Sequence, residues 1–220
     1  MNSIIKTIIT KKYIISFSSA VLLSLFVLSS CTPTGVVLSA GATAGVAAYE
    51  ERGVKGAAKD LSIRVEINNS WLNAGLELYN LVSLQVYEGR VLLTGHVPNN
   101  DMADRAVRLA WQPKYVREVI NEIQVRRDIG IETFARDALI NARLDSALLF
   151  ANNIQSINYS TRSVAGTIYL LGIAKNQEEL NLVLQVARNI PDVKNVISHV
   201  LLNTDSRRLQ QPSKKMGDKS

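Results

Sequence analysis

The chain has 220 residues, of which 47% are hydrophobic and 20% are charged, and its formal net charge is +6. This length is enough for one ordinary domain or two small ones. Residues 31–203 carry 17 Lys and Arg against 17 Asp and Glu, so the excess positive charge lies at the two ends of the chain. Because nucleic-acid modules carry basic charge on the fold itself, we expect no nucleic-acid partner.

Residues 1–31 have the pattern of an export signal. Lys6, Lys11 and Lys12 form a basic start, residues 13–28 are mostly apolar, and small residues precede Cys31, the only cysteine. These three features define a secretory signal. A cysteine at the cleavage site resembles a bacterial lipobox, which predicts a lipoprotein signal peptide over residues 1–30 and lipidation at Cys31. The alternatives are an uncleaved signal anchor and a buried core segment.

Residues 31–56 are rich in glycine and alanine. Segments of this composition are usually flexible, and we therefore expect a tether between the lipid and the folded part. The alternative is a helix of small residues that packs closely on another helix. Since one cysteine cannot form a disulfide inside the chain, the folded part must depend on ordinary apolar cores.

Beyond residue 56 the chain repeats itself without a gap, and position i corresponds to position i + 77. Identical residues recur along the whole repeat, at Asp60 and Asp137, Ile63 and Ile140, Gly89 and Gly166, Gly95 and Gly172, Ala110 and Ala187, and Val119 and Val196. A fixed period is the signature of a repeated structural unit. We therefore expect two copies of one small domain, the first repeat over residues 57–127 and the second repeat over residues 128–203.

Each repeat predicts the same order of elements, α-β-β-α-β. A stretch with helical apolar spacing comes first, and two short strands then flank a turn whose glycine, Gly89 or Gly166, supplies a positive φ. The predicted strands are Leu81–Tyr87, Arg90–Thr94 and Val116–Val125 in the first repeat, and Ile157–Val164, Thr167–Leu171 and Val193–Leu202 in the second. In this prediction Gly95 and Gly172 end the second strand of each repeat.

A second helix follows in each repeat, capped by Asn99 or Asn100 and by Asn176. Asparagine accepts a hydrogen bond from a free amide of the first turn, and Glu179 completes a capping box with Asn176. Because β-α-β crossovers are right-handed, the last strand should run parallel to the second. The predicted fold class is α+β, with a three-stranded mixed sheet and two helices on one face in each repeat.

These patterns resemble the BON domain. The segments that carry the resemblance are EGRVLLTGHVPN with VREVINEIQV in the first repeat, and AGTIYLLGIAKN with DVKNVISHVLL in the second. Together with the lipobox and the tether, the two copies resemble the tandem BON-domain lipoproteins of the bacterial outer membrane. The resemblance implies binding of anionic phospholipid, chiefly by the leading helix of the second repeat, and a role in keeping the outer membrane intact.

That leading helix begins with Thr133-Phe134, at the place where the family carries an aromatic residue. Helices that lie on membranes combine an apolar side with cationic flanks, so the candidate lipid-binding residues are Phe134, Arg136, Leu139 and Arg143. In the alternative interpretation, Leu139, Ile140 and Leu144 belong to the domain core, and the arginines form a solvated face with Asp137 and Asp145. The basic tail, residues 204–220, is expected to be disordered and is a second candidate for contact with anionic lipid.

The sequence gives little support for a catalytic function. The two histidines, His96 and His199, lack metal-ligand spacing, and we expect His96 to be a polar residue at a strand end. Asp60 and Asp137 are interpreted as caps or dipole partners of the leading helices. No catalytic residue, cofactor or metal is expected. Four glycines lack the spacing of a phosphate-binding loop and are predicted to be structural, namely Gly89, Gly95, Gly166 and Gly172.

The predicted function is that of a non-enzymatic lipoprotein. It is anchored in the bacterial outer membrane by an acyl chain, faces the periplasm, binds anionic phospholipid and supports envelope integrity. A second hypothesis is an envelope adaptor whose BON domains bind protein partners of an assembly or secretion machine. A third hypothesis, an unrecognised enzyme, would require a buried polar pocket around His96.

Overall fold

The computed structural model describes residues 50–126 and 131–208. The predicted signal peptide, Cys31, residues 31–49 of the expected tether and residues 209–220 of the basic tail lie outside the described residues. In the described part of the chain, no helix is both long enough and apolar enough to cross a membrane.

The first repeat begins with a long helix and a short one, α1 (Gly53–Ala74) and α2 (Leu76–Leu81). The remaining elements are β1 (Val82–Tyr87), β2 (Arg90–Val97), α3 (Asn100–Ala110) and β3 (Glu118–Val125). Gly75, with φ at 144°, separates α1 from α2. The apolar spacing of the sequence did not predict α2 as a separate helix.

The second repeat has the same order of main elements. They are α4 (Ile131–Phe150), β4 (Tyr159–Val164), β5 (Thr167–Ala174), α5 (Gln177–Arg188) and β6 (Asn195–Leu202). Where the first repeat has α2, the second has only a single 3-10 turn, Ser156–Asn158. The two repeats therefore differ between the leading helix and the hairpin.

Each repeat forms a three-stranded mixed sheet, with strand orders β1-β2-β3 and β4-β5-β6. The hairpin strands are antiparallel and the last strand is parallel to the central one. The registers follow the correspondence between the repeats, since Leu84 faces Leu93 in the first hairpin and the equivalent Thr161 faces Leu170 in the second. The predicted fold class is confirmed.

The central strands β2 and β5 run further than predicted, to Val97 and Ala174. Gly95 and Gly172 therefore lie inside their strands and do not end them. A Cβ on Gly95 would lie 2.2 Å from the carbonyl oxygen of Leu81, and one on Gly172 would lie 2.0 Å from that of Asn158. Glycine is required because the two backbones approach too closely for a side chain.

Asp60 and Asp137 hold the hairpin turns and do not act at helix ends. Both are buried and lie more than one turn inside their helices. The Asp137 carboxylate accepts hydrogen bonds from the amides of Ala165 (2.6 Å) and Gly166 (2.8 Å), and Asp60 binds the two equivalent amides of the first turn at 2.8 Å each. The interpretation as dipole partners is wrong, because that interaction fades beyond the first turn.

Both second helices begin at predicted asparagine caps. Asn99 and Asn176 each accept a hydrogen bond at 2.9 Å from the amide three residues later. The Glu179 carboxylate bonds to the amide of Lys175, one residue before the cap, and to the amide of Gln155, both at 2.7 Å. The predicted capping box therefore differs in one bond, because the carboxylate binds the amide before the cap and not the amide of Asn176 itself, and Glu179 also ties the segment after α4 to the start of α5.

Three apolar cores lie between four layers of secondary structure. The first core lies between α1, α3 and one face of the first sheet, and the second lies between α4, α5 and one face of the second sheet. The opposite faces of the two sheets pack on each other through residues such as Leu92, Tyr169 and Leu201. The order is helices, sheet, sheet, helices, so α1 and α4 lie on opposite outer sides.

The end of the expected tether belongs to the fold. Helix α1 already begins at Gly53, and the Arg52 guanidinium just before it donates to the Asp60 carboxylate at 2.9 Å. One residue earlier, the amide of Glu51 donates to Asn158 Oδ1 of the second repeat at 2.9 Å. These contacts join the entering chain to both repeats, which composition alone does not reveal.

The start of the basic tail is also folded. Arg208 forms a two-pronged ion pair with Glu88 of the first repeat, with N···O distances of 2.6 and 3.0 Å. Arg117 donates to the carbonyl oxygens of Arg207 (2.7 Å) and Arg208 (2.8 Å). The prediction of disorder is wrong for residues 204–208, because their partners come from a distant part of the sequence.

Candidate functional site

Helix α4 is apolar on two opposite sides. Its inner side packs into the second core. Its outer side exposes four large apolar side chains, with exposed fractions of 56, 47, 64 and 79% for Phe134, Leu139, Leu149 and Phe150. These four residues, together with Arg136 and Arg143, form what we call the outer face of α4. At 3.6 residues per turn these apolar side chains spread over about 160° of the helix circumference, from Phe134 through Leu149 to Leu139 and Phe150. An exposed apolar surface of this kind is typical of an interaction site.

The outer face carries positive charge on one flank. Arg136 and Arg143 are both exposed, and their spacing places them two turns apart on the same side of the helix. Arg143 lies 3.6 Å from the Asp192 carboxylate, with both side chains about half exposed. Such a surface pair is weak, so both guanidinium groups remain accessible to an anionic ligand.

Polar contacts fix the orientation of α4 on the edge of the second sheet. Besides the turn amides, Asp137 accepts a hydrogen bond from the Ser163 hydroxyl at 2.8 Å. One turn further, Asn141 accepts from the Ser163 amide at 2.7 Å, and Asp145 accepts from the Thr161 hydroxyl at 2.6 Å. These three side chains lie on successive turns of the helix, and their hydrogen bonds keep the outer face pointing away from the sheet.

The structure places all four predicted lipid-binding residues on this surface. Leu139 is half exposed while Ile140 and Leu144 are fully buried, so the alternative interpretation is wrong for Leu139 and correct for the other two core residues. Leu149 and Phe150, the most exposed apolar residues of the face, were not predicted. In a helical projection of the whole of α4, Leu149 falls between Phe134 and Leu139 and Phe150 falls close to Leu139, so such a projection could have identified them.

The two histidines lie between the repeats. His199 Nε2 is 2.9 Å from the Glu122 carboxylate, and these residues occupy equivalent positions of the two repeats. His96 is buried, its Nε2 has no hydrogen-bond partner among the described residues, and burial lowers its pKa. The described residues contain no group of three or more potential ligands that could hold a metal ion.

The comparisons with known proteins agree with this architecture. The family described as "BON domain" matches residues 59–127 and 136–204. The chain therefore belongs to the BON-domain family and contains two tandem BON domains.

Three relatives cover most of the chain. An uncharacterised protein in the gshII 5' region of Anaplasma centrale is 39% identical over 150 residues, or 68% of this chain and 98% of the relative. The outer membrane lipoprotein DolP of Haemophilus influenzae is 29% identical over 162 residues, or 73% of this chain and 83% of the relative. The 21 kDa hemolysin of Actinobacillus pleuropneumoniae is 26% identical over 159 residues, or 72% and 75%.

Proposed function

We propose that this protein is a non-enzymatic lipoprotein of the bacterial outer membrane that binds anionic phospholipid through the outer face of α4. Family membership, the name of the Haemophilus relative and the lipobox before Cys31 support the location. In this proposal an acyl chain on Cys31 anchors the protein, the BON domains face the periplasm, and their contact with lipid supports envelope integrity.

The outer face of α4 is the observation that carries the proposal. Full burial of a side chain such as Phe134 contributes about 1.5–3 kcal/mol. Each arginine near an anionic surface adds on the order of 1 kcal/mol before screening. Neither contribution is large alone, but an acyl anchor raises the local concentration of lipid around the domain. The outer face then needs only modest affinity to stay on the membrane.

The test uses residues 31–220 with Cys31→Ser, so that binding does not depend on the acyl chain. Sedimentation with neutral and anionic vesicles measures the affinity of this protein and of two variants, Phe134→Ala and Arg136→Glu. Each variant should weaken binding to anionic vesicles by about tenfold, from the contributions above. The matched control is Lys59→Glu, because Lys59 is exposed on α1 at the position equivalent to Arg136.

The salt dependence of vesicle binding separates the apolar contribution of Phe134 from the electrostatic contribution of Arg136. The deficit of Arg136→Glu should shrink as ionic strength rises, because ions screen the attraction, while that of Phe134→Ala should persist. The control variant should bind almost as well as the unchanged protein. If both α4 variants fold, as circular dichroism would show, and bind anionic vesicles normally, the outer face of α4 is not the lipid-binding surface.

A second candidate function is the envelope adaptor, which a different surface favours. Leu72, Leu76 and Tyr79 are exposed around the junction of α1 and α2, on the side opposite to α4. Binding of a partner by addition of a β-strand to the sheet edge is disfavoured. The side chains of Asn121 and Ser198 accept hydrogen bonds from amides of β3 and β6, so these amides are not free to pair with another strand. A photoreactive amino acid at position 79, crosslinked in living cells, tests for a protein partner there.

A further inference from the structure

The two repeats differ most clearly behind the C-terminal end of the leading helix. In the first repeat this place is filled by Trp71, which is buried and donates its indole N–H to the Ala106 carbonyl at 3.2 Å. Leu78 of α2 packs in the same core. In the second repeat the position of Trp71 is taken by Leu148, and a 3-10 turn replaces α2. Less side-chain volume is therefore available to fill the equivalent space.

The result is an open groove of about 460 Å³ between the end of α4 and the start of β4. The buried Leu148 and Tyr159 form its base, and its other lining residues are the exposed apolar Leu149 and Ile157 and the polar Asp145, Ser156, Ser160 and Thr161. Leu149 belongs both to this lining and to the outer face of α4, so the groove opens directly beside that face.

We propose that this groove binds one acyl chain of a membrane phospholipid. The inference rests on the proposed function, because the outer face of α4 must lie against the membrane for a chain to enter. A hydrocarbon chain would pack on Leu148 and on the ring of Tyr159, whose buried hydroxyl has no hydrogen-bond partner among the described residues, and the exposed Ile157 would cover the chain from the side. The Asp145 carboxylate at the rim disfavours an anionic headgroup inside the groove, so the headgroup stays outside it.

The test uses the full chain in vesicles of phosphatidylethanolamine and phosphatidylglycerol. A small fraction of the phospholipid carries a diazirine near the end of one acyl chain, and mass spectrometry maps the photoadducts. We expect adducts at two places, on Leu148 and Tyr159 inside the groove and on the outer face around Phe134. Two variants fill the groove, Leu148→Trp, which copies the first repeat, and Ile157→Trp at its exposed rim.

Filling the groove should reduce the adducts on groove residues at least fivefold and leave those around Phe134 unchanged. The matched control is Leu72→Trp, because Leu72 is the exposed equivalent of Leu149 on α1, and it should change neither set. Leu148 is a core residue, and if Leu148→Trp does not fold, Ile157→Trp still decides the result because its side chain lies at the surface.

Three outcomes would overturn the inference. Adducts around Phe134 without any in the groove would refute the acyl-chain site alone and would leave the groove to another occupant, such as an apolar peptide. Groove adducts that persist in a folded, filled variant would show that the chain does not enter. Absence of adducts from the whole of α4 would refute the proposed function together with this inference.

Discussion

Replacement of Asp137 by asparagine tests what holds the second repeat together. The Asp137 carboxylate accepts three hydrogen bonds, from the Ser163 hydroxyl and from two turn amides, at 2.6–2.8 Å. Asparagine has the same shape but only one acceptor oxygen, and its NH₂ group would face an N–H donor. At least one amide of the tight turn must therefore lose its partner.

The expected loss of stability follows from these contacts. An unsatisfied buried donor costs about 1–3 kcal/mol, and hydrogen bonds to charged groups are stronger than neutral ones. Since the change affects two amides and one hydroxyl, we expect Asp137→Asn to lower the free energy of unfolding by roughly 2–4 kcal/mol. For a protein of this size, 1 kcal/mol shifts Tm by about 2–4 °C, which predicts a decrease of about 5–15 °C.

Thermal unfolding followed by circular dichroism measures this shift, and Glu132→Gln is the matched control. Glu132 lies in the first turn of the same helix, where interaction with the helix dipole is worth about 0.3–1 kcal/mol. Asp137→Asn should therefore lower Tm several times more than the control. If the two variants lower Tm equally, Asp137 acts through the dipole and the clamp on the turn is unimportant.

Three further predictions concern single residues. Gly172→Ala should destabilise the protein by about 2–4 kcal/mol in a urea titration, and far more than Gly75→Ala, because a Cβ at Gly75 meets no atom within 4 Å although its φ is similar. Because burial lowers the pKa of His96, the unfolded chain binds more protons than the folded chain below about pH 6.5. The free energy of unfolding should therefore fall as pH drops from 7 to 5. His96→Leu should flatten this pH dependence. Cys31→Ser should abolish metabolic labelling with a fatty-acid analogue, and equal labelling of both proteins would refute lipidation at Cys31.

Much of the fold could be predicted because each repeat must bury the same apolar pattern. Both copies pack the same elements in the same way, so a sequence pattern that predicts an element weakly in one copy is supported by the equivalent pattern in the other. The roles of Asp60 and Gly95 could not be predicted in this way. Their partners are a turn amide 29 residues away and the Leu81 carbonyl oxygen, and nothing in the local sequence identifies either.

The candidate site was predictable only in part for a different reason. Because α4 is apolar on two sides, periodicity alone does not decide which side is the core, and Leu139 and Ile140 are adjacent in the sequence. The buried Asp137 decides it, since its bonds to the turn fix the inner side of the helix. The groove could not be predicted, because it depends on how a 3-10 turn replaces α2 in three dimensions.

The four-layer arrangement explains why the two repeats differ on the outer sides of their leading helices. A flat membrane can contact only one outer helix layer, because α1 and α4 lie on opposite sides of the paired sheets. At the positions of Leu139 and Phe150, α1 carries Ser62 and Asn73, and Trp71 fills the space that forms a groove beside α4. The residues that build the turns and the sheets are kept in both copies, whereas the outer side of the leading helix has changed in part, since α1 still exposes Val54, Val65, Leu72 and Lys59. Such a division is what the proposed function requires, with the second repeat on the lipid and the first repeat facing away from it.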